Sequence, residues 1–252
     1  MYILSKKGVE LNGENPTLLY AYGGFNISIL PSFSVAYLTM VEKLNGVVAI
    51  ANIRGGGEYG QEWHNAGRLS KKQNCYTDFQ YAARYLIREN YTKPAKLAIN
   101  GGSNGGLLVG TCLNQTPELF GLGIAEVGVM DLLRFHKFTI GAAWVSDFGN
   151  PDVATDFEYI RKISPLHNVD ASKTYPAVLL ITGDHDDRVV PLHSMKLAAT
   201  LQHELKNNAN PIMMRVNTKA GHGAGKSMQQ YIEEASDKYT YLAIVLGAAY
   251  SD

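Results

Sequence analysis

The sequence predicts an α/β protein with a mostly parallel central sheet and helices on both faces of the sheet. Strand-like runs alternate with helix-like segments along the chain, and each strand-like run ends in a turn signal. The chain has 252 residues and 46% hydrophobic content, which is enough to bury one large core. We therefore expect a single domain over residues 1–252.

Six runs rich in β-branched or aromatic residues are predicted to be strands, and they lie at 17–22, 47–53, 96–99, 123–127, 177–182 and 212–217. Helical periodicity is clearest at 77–88, 192–205 and 227–246, with a further helix-like run at 107–113. Right-handed crossovers place the carboxyl ends of such strands at one edge of the sheet, where the functional loops of these folds lie. The polar, proline-interrupted stretch 148–173 is predicted to pass over that edge.

Composition argues against several classes of partner. Lys plus Arg and Asp plus Glu both number 23, and no basic stripe favours nucleic-acid binding. The chain has neither a long apolar run nor a signal-peptide core, so we expect no membrane association and a cytoplasmic location. Cys75 and Cys112 are predicted to be buried, reduced thiols. His-Asp-Asp at 185–187 lacks accompanying metal-ligand pairs, so neither a metal nor another cofactor is expected.

The most informative motif is Gly-Gly-Ser-Asn-Gly-Gly at 101–106, between a predicted strand and a predicted helix. Gly101, Ser103 and Gly105 satisfy the pattern G-x-S-x-G, which is typical of the nucleophile elbow of an α/β-hydrolase. The serine of such an elbow lies in a strained turn whose close neighbours must lack a Cβ. Ser103 is therefore the candidate nucleophile, although glycine-rich turns of this kind also bind phosphates or form plain corners.

In this fold the nucleophile is followed along the chain by the acid and then by the histidine base. The loop after the strand at 177–182 offers Asp184, Asp186 and Asp187, and spacing does not decide among them, because one could cap the next helix. His222 follows the last predicted strand and is flanked by glycines, which let an imidazole approach other groups closely. His222 is therefore the candidate base.

Stabilisation of an oxyanion requires hydrogen-bond donors. One donor in this fold is the backbone N–H after the nucleophile, here that of Asn104. A second donor is expected from the early glycine loop Tyr-Gly-Gly-Phe at 22–25, either from a backbone N–H or from a tyrosine hydroxyl.

Five segments together closely resemble the peptidase domain of the prolyl oligopeptidase family. They are Tyr-Gly-Gly-Phe at 22–25, Asn-Ile-Arg-Gly-Gly-Gly-Glu-Tyr-Gly at 52–60, the elbow at 101–106, Asp-His-Asp-Asp-Arg-Val-Val-Pro-Leu-His at 184–193 and Lys-Ala-Gly-His-Gly-Ala-Gly at 219–225. The resemblance implies an α/β-hydrolase fold with Ser103 as nucleophile, Asp186 as acid and His222 as base. It also implies that the Tyr22 hydroxyl and the Asn104 N–H form the oxyanion hole. The resemblance thereby selects Asp186 from the three aspartates.

Family members cleave short peptides on the carboxyl side of proline, and a proline ring requires an apolar, aromatic-walled pocket. The resemblance implies that Trp144 stacks on that ring and that Arg188 holds a substrate carbonyl. The other pocket residues that it implies are Phe25, Val129, Ile140, Phe148 and Val189. Acidic pocket motifs typical of relatives that cut after Lys or Arg are not found, so short proline-containing peptides are the expected partners.

The sequence departs from the family pattern in three respects. Phe148 stands where a tyrosine is usual, and Glu126 stands where an uncharged amide is usual. The family's β-propeller and N-terminal segment are also absent from the chain, which leads us to expect an uncapped pocket and exposed apolar surface. The leading hypothesis is a serine endopeptidase acting after proline. A catalytically silent interaction domain and a hydrolase without proline preference remain as alternatives.

Overall fold

A computed structural model describes residues 1–223 and 225–251. Its sheet has seven strands in the order β1-β3-β2-β4-β5-β6-β7. All neighbouring pairs are parallel except β1 with β3. The strands are β1 (Tyr2–Leu4), β2 (Thr17–Tyr20), β3 (Val47–Ile50), β4 (Leu97–Gly102), β5 (Leu122–Glu126), β6 (Ala177–Gly183) and β7 (Ile212–Asn217). The predicted mostly parallel sheet is confirmed.

The described part of the chain contains eight α-helices, of which seven lie between strands and the last follows β7. They are α1 (Val35–Lys43), α2 (Gln61–Asn65), α3 (Gln73–Arg88), α4 (Asn104–Gln115), α5 (Val145–Phe148), α6 (Ala154–Ile163), α7 (Leu192–Glu204) and α8 (Met228–Leu246). Short 3-10 helices occupy several of the loops, including Gly141–Trp144 just before α5.

The alternating side chains of the strands feed two cores, one on each face of the sheet. Leu19 and Ile99 belong to the core under α3, α4 and α7, whereas their neighbours Leu18 and Ala98 belong to the core under α1 and α8. Strands buried on both faces are apolar throughout, which explains why β2 to β6 could be recognised from continuous apolar runs. The predicted cover of helices on both faces is therefore confirmed.

Some predicted boundaries differ from the structure. β2 and β3 end at Tyr20 and Ile50, so the predicted strand residues that follow them turn out of the sheet. Helix α3 begins at Gln73, four positions before the predicted start at 77. Strand β1 and helices α1 and α6 lie in segments for which no element was predicted.

The stretch 148–173 differs from the predicted polar excursion. It begins with Phe148, whose side chain is 1% exposed, and it contains α6, which buries Ile160 and Ile163 in the core. The polar residues at 154–163 are thus the outward face of a packed helix, whereas residues 149–153 and 164–173 form turns, loop and one 3-10 helix. In the described part of the chain, no helix is long and apolar enough to cross a membrane.

Candidate active site

Ser103 lies at the sharp turn between β4 and α4, with φ 57° and ψ −116°. A positive φ is costly for a residue with a Cβ and persists only where the surroundings impose it. Two backbone hydrogen bonds do so here: the Ser103 N–H donates to the Glu126 carbonyl at 2.8 Å, and the Leu107 N–H donates to the Ser103 carbonyl at 3.1 Å. The turn is thereby tied to the end of β5 and to the first turn of α4.

The glycines of the elbow make room for this turn. A Cβ on Gly101 would lie 2.6 Å from the carbonyl carbon of Gly105, and a Cβ on Gly105 would lie 2.8 Å from the Ala21 carbonyl oxygen. Such distances to backbone atoms cannot be relieved by moving a side chain. A Cβ on Gly102, in contrast, would meet nothing closer than 3.9 Å. The motif glycines are thus required by packing, while Gly102 is not.

Asp186 follows the carboxyl end of β6 and is buried, with 3% of its surface exposed. Its Oδ2 lies 2.7 Å from His222 Nδ1, and its Oδ1 accepts hydrogen bonds from the N–H groups of Arg188 at 3.0 Å and Val189 at 2.9 Å. Both carboxylate oxygens are therefore engaged, and the backbone fixes which oxygen faces the imidazole.

The other two aspartates of this loop lie elsewhere. Asp184 pairs with His185 at 2.6 Å and accepts a hydrogen bond from the Ala220 N–H at 3.3 Å. Hydrogen bonding to His185 lowers the pKa of Asp184 below its ordinary value. Asp187 is exposed. Of the three, Asp186 is the one that the structure brings to His222.

His222 lies in the loop after β7, and its side chain is 13% exposed. Because Asp186 holds Nδ1, the opposite ring nitrogen, Nε2, is left to receive a proton from a nucleophile. In residues 1–223 and 225–251, Ser103 makes no hydrogen bond to His222. In the absence of substrate such catalytic bonds are often long, and they tighten when the complex forms.

Two groups near Ser103 could stabilise an oxyanion. The N–H of Asn104 is in the first turn of α4, where backbone N–H groups have no partner within the helix. Burial raises the pKa of the Tyr22 hydroxyl, while the Lys72 charge and the Ser103 side chain act against that rise. The hydroxyl therefore stays protonated at neutral pH and can donate. The Asn104 side chain donates to the Tyr22 carbonyl at 2.6 Å, which fixes the two groups relative to each other.

A cavity of about 290 Å³ opens beside Ser103. It is lined by Tyr22, Phe25, Ile27, Ser103, Asn104, Val129, Ile140, Trp144, Phe148 and Arg188. Phe148 packs edge to face against Phe25, with ring centroids 5.4 Å apart. The walls are therefore mainly apolar and aromatic, and the lining also includes Ser103 and the Arg188 side chain.

Two residues differ from the sequence expectation for this pocket. Val189 was expected in its wall, but it is 2% exposed within the core and is not among the lining residues; its N–H instead supports Asp186. Ile27 lines the cavity but was not predicted, because the sequence offers no signal for it beyond its position two residues after Phe25.

Glu126, the charged residue at the end of β5, is paired rather than free. Its Oε1 accepts hydrogen bonds from Asn100 Nδ2 at 2.7 Å and Lys238 Nζ at 3.0 Å. Burial raises the pKa of Glu126, but Lys238 and Asn100 more than offset that effect, so its pKa is below the ordinary value.

Among the described residues, no group of three His, Cys, Asp or Glu side chains is arranged to hold a metal ion.

A mostly parallel sheet, a strained serine between a strand and a helix, and a carboxylate and a histidine on later loops of the same edge define the α/β-hydrolase class. Comparison with known sequences narrows this class. Residues 31–249 match the prolyl oligopeptidase family, and the chain belongs to that family.

Relatives and solved structures agree with this assignment. The chain is 54% identical to prolyl oligopeptidase A of Galerina marginata, over 100% of the chain and 34% of that protein. It is 51% identical to prolyl endopeptidase of Dictyostelium discoideum, over 98% of the chain and 33% of that protein. Prolyl oligopeptidase B from Galerina marginata, solved with a 35mer hydrolysis and macrocyclization substrate, superposes with a TM-score of 0.95 at 43% identity, over 99% of this chain and 35% of that one. The chain thus spans about a third of the length of these relatives.

Proposed function

We propose that this chain is a serine peptidase that hydrolyses short peptides on the carboxyl side of proline. The observation that carries the proposal is the placement of Ser103 in the lining of a small aromatic cavity, with Trp144 in the cavity wall. A proline side chain has no polar group to satisfy, so an apolar, aromatic pocket suits it. Among the described residues, the lining includes Arg188 but no carboxylate, which disfavours a Lys or Arg side chain in the pocket. Membership of the prolyl oligopeptidase family supports this choice of substrate.

In the proposed mechanism His222 Nε2 takes the proton of Ser103 Oγ. The oxygen then attacks the carbonyl carbon of the proline residue. Asp186 keeps the Nδ1 proton in place and stabilises the imidazolium that forms. The negative charge that develops on the carbonyl oxygen is met by the Tyr22 hydroxyl and the Asn104 N–H.

The tetrahedral adduct then collapses. The bond to the leaving amine breaks, His222 returns its proton to that amine, and an acyl ester remains on Ser103. Water, deprotonated by His222, attacks the ester, and release of the acid restores the hydroxyl. The Arg188 guanidinium of the cavity lining holds a carbonyl of the peptide on the amino side of the proline. This sequence of steps needs no group beyond the side chains named and water.

The test is turnover of a fluorogenic peptide with proline before the leaving group, compared with the alanine analogue. We expect Ser103→Ala to abolish turnover. Ser251→Ala should not change it, because Ser251 hydrogen-bonds the end of α1, at the opposite edge of the sheet. Trp144→Ala should raise KM for the prolyl substrate and leave hydrolysis of a simple ester nearly unchanged.

Three outcomes separate the alternatives. Turnover that depends on Ser103 and favours proline supports the proposal. Equal turnover of the alanyl and prolyl substrates would indicate a hydrolase without proline preference. No turnover by a chain that is folded by circular dichroism and does not react with a fluorophosphonate would indicate a catalytically silent domain.

A further inference from the structure

A fully buried ion pair lies directly behind the cavity. Lys72, at the start of α3, is 1% exposed and Asp147, in α5, is 2% exposed, and Lys72 Nζ lies 2.7 Å from Asp147 Oδ2. Removing two charges from water is costly, and a well-packed apolar pair of similar size often gives an equally stable protein. Stability alone therefore does not account for these two residues.

The pair holds both ends of the short turn Gly23–Gly24–Phe25. Lys72 Nζ also donates to the Gly23 carbonyl at 3.1 Å, and the Phe25 N–H donates to Asp147 Oδ1 at 3.2 Å. Gly23 has a φ of 67° and Phe25 a φ of 55°. A left-handed conformation at phenylalanine must be imposed by its surroundings, and Asp147 supplies one of the bonds that impose it.

The same two charges contact the wall of the cavity. Lys72 Nζ lies 5.2 Å from the centre of the Phe148 ring and 6.0 Å from that of Phe25. Both rings line the cavity, whereas neither Lys72 nor Asp147 is among its lining residues in the described chain. The pair therefore does not contact a peptide in the cavity directly, and its own contacts are with the turn and the two rings.

The most consequential neighbour of the turn is Tyr22, which immediately precedes it. Its carbonyl is fixed by Asn104 and the next carbonyl, that of Gly23, is fixed by Lys72. With both carbonyls held, the backbone of Tyr22 has little freedom, and the direction of its Cα–Cβ bond, from which the hydroxyl is reached, is set. The charges of Lys72 and Asp147 also act on the pKa of the Tyr22 hydroxyl, in opposite directions.

We propose that Lys72 and Asp147 form a positioning pair that aims the Tyr22 hydroxyl at the oxyanion. The proposal rests on the proposed function of Tyr22 as a donor. Neither Lys72 nor Asp147 lines the cavity, so the pair adds no charge to the apolar wall while it holds the turn. Its cost in desolvation is balanced by three bonds to charged groups, namely the ion pair and one backbone bond at each end of the turn.

The decisive variant is Lys72→Met/Asp147→Asn, which removes both charges without leaving one unpaired. Its asparagine can still accept from Phe25 N–H, while the donor to the Gly23 carbonyl is lost. The matched control is Lys93→Met/Glu14→Gln, because Lys93 Nζ and Glu14 Oε1 are 2.6 Å apart but the pair is exposed. If the double variant does not fold, Lys72→Leu/Asp147→Asn, which also removes both charges together, is measured in the same way.

The first measurement is amide hydrogen exchange of peptides covering residues 23–26, which does not depend on catalysis. We expect faster exchange there in the double variant, with unchanged exchange in β4 and α4, and no change in the control. The second measurement is kcat and KM of the double variant, made once with Tyr22 present and once in a Tyr22→Phe background. Loss of an oxyanion donor lowers kcat by about 10²–10³-fold. A Tyr22 hydroxyl that is present but displaced should therefore lower kcat by roughly tenfold or more, with a smaller effect on KM.

In the Tyr22→Phe background the double variant should cost less than about twofold, because the donor that it positions is already gone. An equal loss in both backgrounds, or unchanged exchange at 23–26, would overturn the proposal. If the wild-type chain does not cleave the prolyl substrate, the proposed function fails. The same kinetics are then measured with an ester, and the exchange result still decides whether the pair holds the turn.

Discussion

Replacing Asp186 with asparagine or with alanine separates its role in orienting His222 from its role in holding its own loop. Asp186 accepts three hydrogen bonds, one from His222 and two from the backbone N–H groups of Arg188 and Val189. The amide of Asp186→Asn keeps an oxygen for the two backbone donors but turns an N–H toward His222. Asp186→Ala removes both acceptor oxygens and therefore all three hydrogen bonds.

The expected magnitudes follow from these contacts. A hydrogen bond to a charged group contributes about 1.5–3 kcal/mol and a neutral one about 0.5–1.5 kcal/mol. Asp186→Asn changes two backbone bonds from charged to neutral and should destabilise the fold by about 2–3 kcal/mol. Asp186→Ala leaves two buried N–H groups without a partner and should destabilise it by about 3–5 kcal/mol. Activity should behave differently, because an amide facing Nδ1 favours the wrong tautomer of the imidazole and lowers kcat by about 10⁴-fold.

The assay pairs urea denaturation with initial rates on the prolyl substrate. Asp184→Asn is the control, since Asp184 lies two residues away, contacts His185 and does not reach His222; it should stay within about threefold of wild type in kcat. A kcat for Asp186→Asn within tenfold of wild type would refute the orienting role. Equal stability of the asparagine and alanine variants would refute the assignment of the two backbone bonds.

Three further predictions concern the elbow, a buried imidazole and the thiols. Gly101→Ala should abolish activity, whereas Gly102→Ala should keep it within a few-fold, since a Cβ at Gly102 meets nothing within 3.9 Å; activity in both or in neither would contradict the packing argument. Burial lowers the pKa of His193 from 6.5 to about 4, so the unfolded chain binds a proton first, and the free energy of unfolding should fall as the pH decreases from 6.5 through 4. Thermal melts of His193→Asn across this range should have a shallower slope, and parallel slopes would exclude this contribution. Burial raises the pKa of the Cys75 thiol to about 11 and that of Cys112 further still, so neither should react with a thiol reagent within minutes until the chain is denatured; rapid reaction of the native chain would show that one of them is accessible.

The sequence predicted the central strands because they are buried on both faces and therefore read as continuous apolar runs. Strand β1 was missed because it has three residues, all half-buried, and pairs antiparallel at the sheet edge. Helix α1 was missed although Ser34 caps it through its side chain and the Tyr37 N–H, because its β-branched and aromatic residues weaken the helical pattern.

Within the candidate site, motifs predicted Ser103 and His222, and only the resemblance to the family selected Asp186, because the choice among the aspartates depends on how one loop folds. The carboxyl that faces His222 is set by hydrogen bonds from two backbone N–H groups, and spacing carries no record of them. The burial of Lys72 was harder still to predict, because Lys72 follows another lysine and resembles a surface residue. Its burial depends on a partner 75 positions away, which only the folded chain brings close.

The groups proposed for catalysis are spread along almost the whole chain, from Tyr22 after β2 to His222 after β7, the last strand. Pairing strands so distant in sequence is slow, because the loop entropy must be lost before any contact is gained. In the proposed mechanism, pairing of β7 with β6 brings His222 to the site, so a chain in which every other strand has paired should lack its base. If hydrolysis is found, its recovery during refolding should be no faster than this strand pairing, while tryptophan fluorescence would report the packing around Trp63 and Trp144.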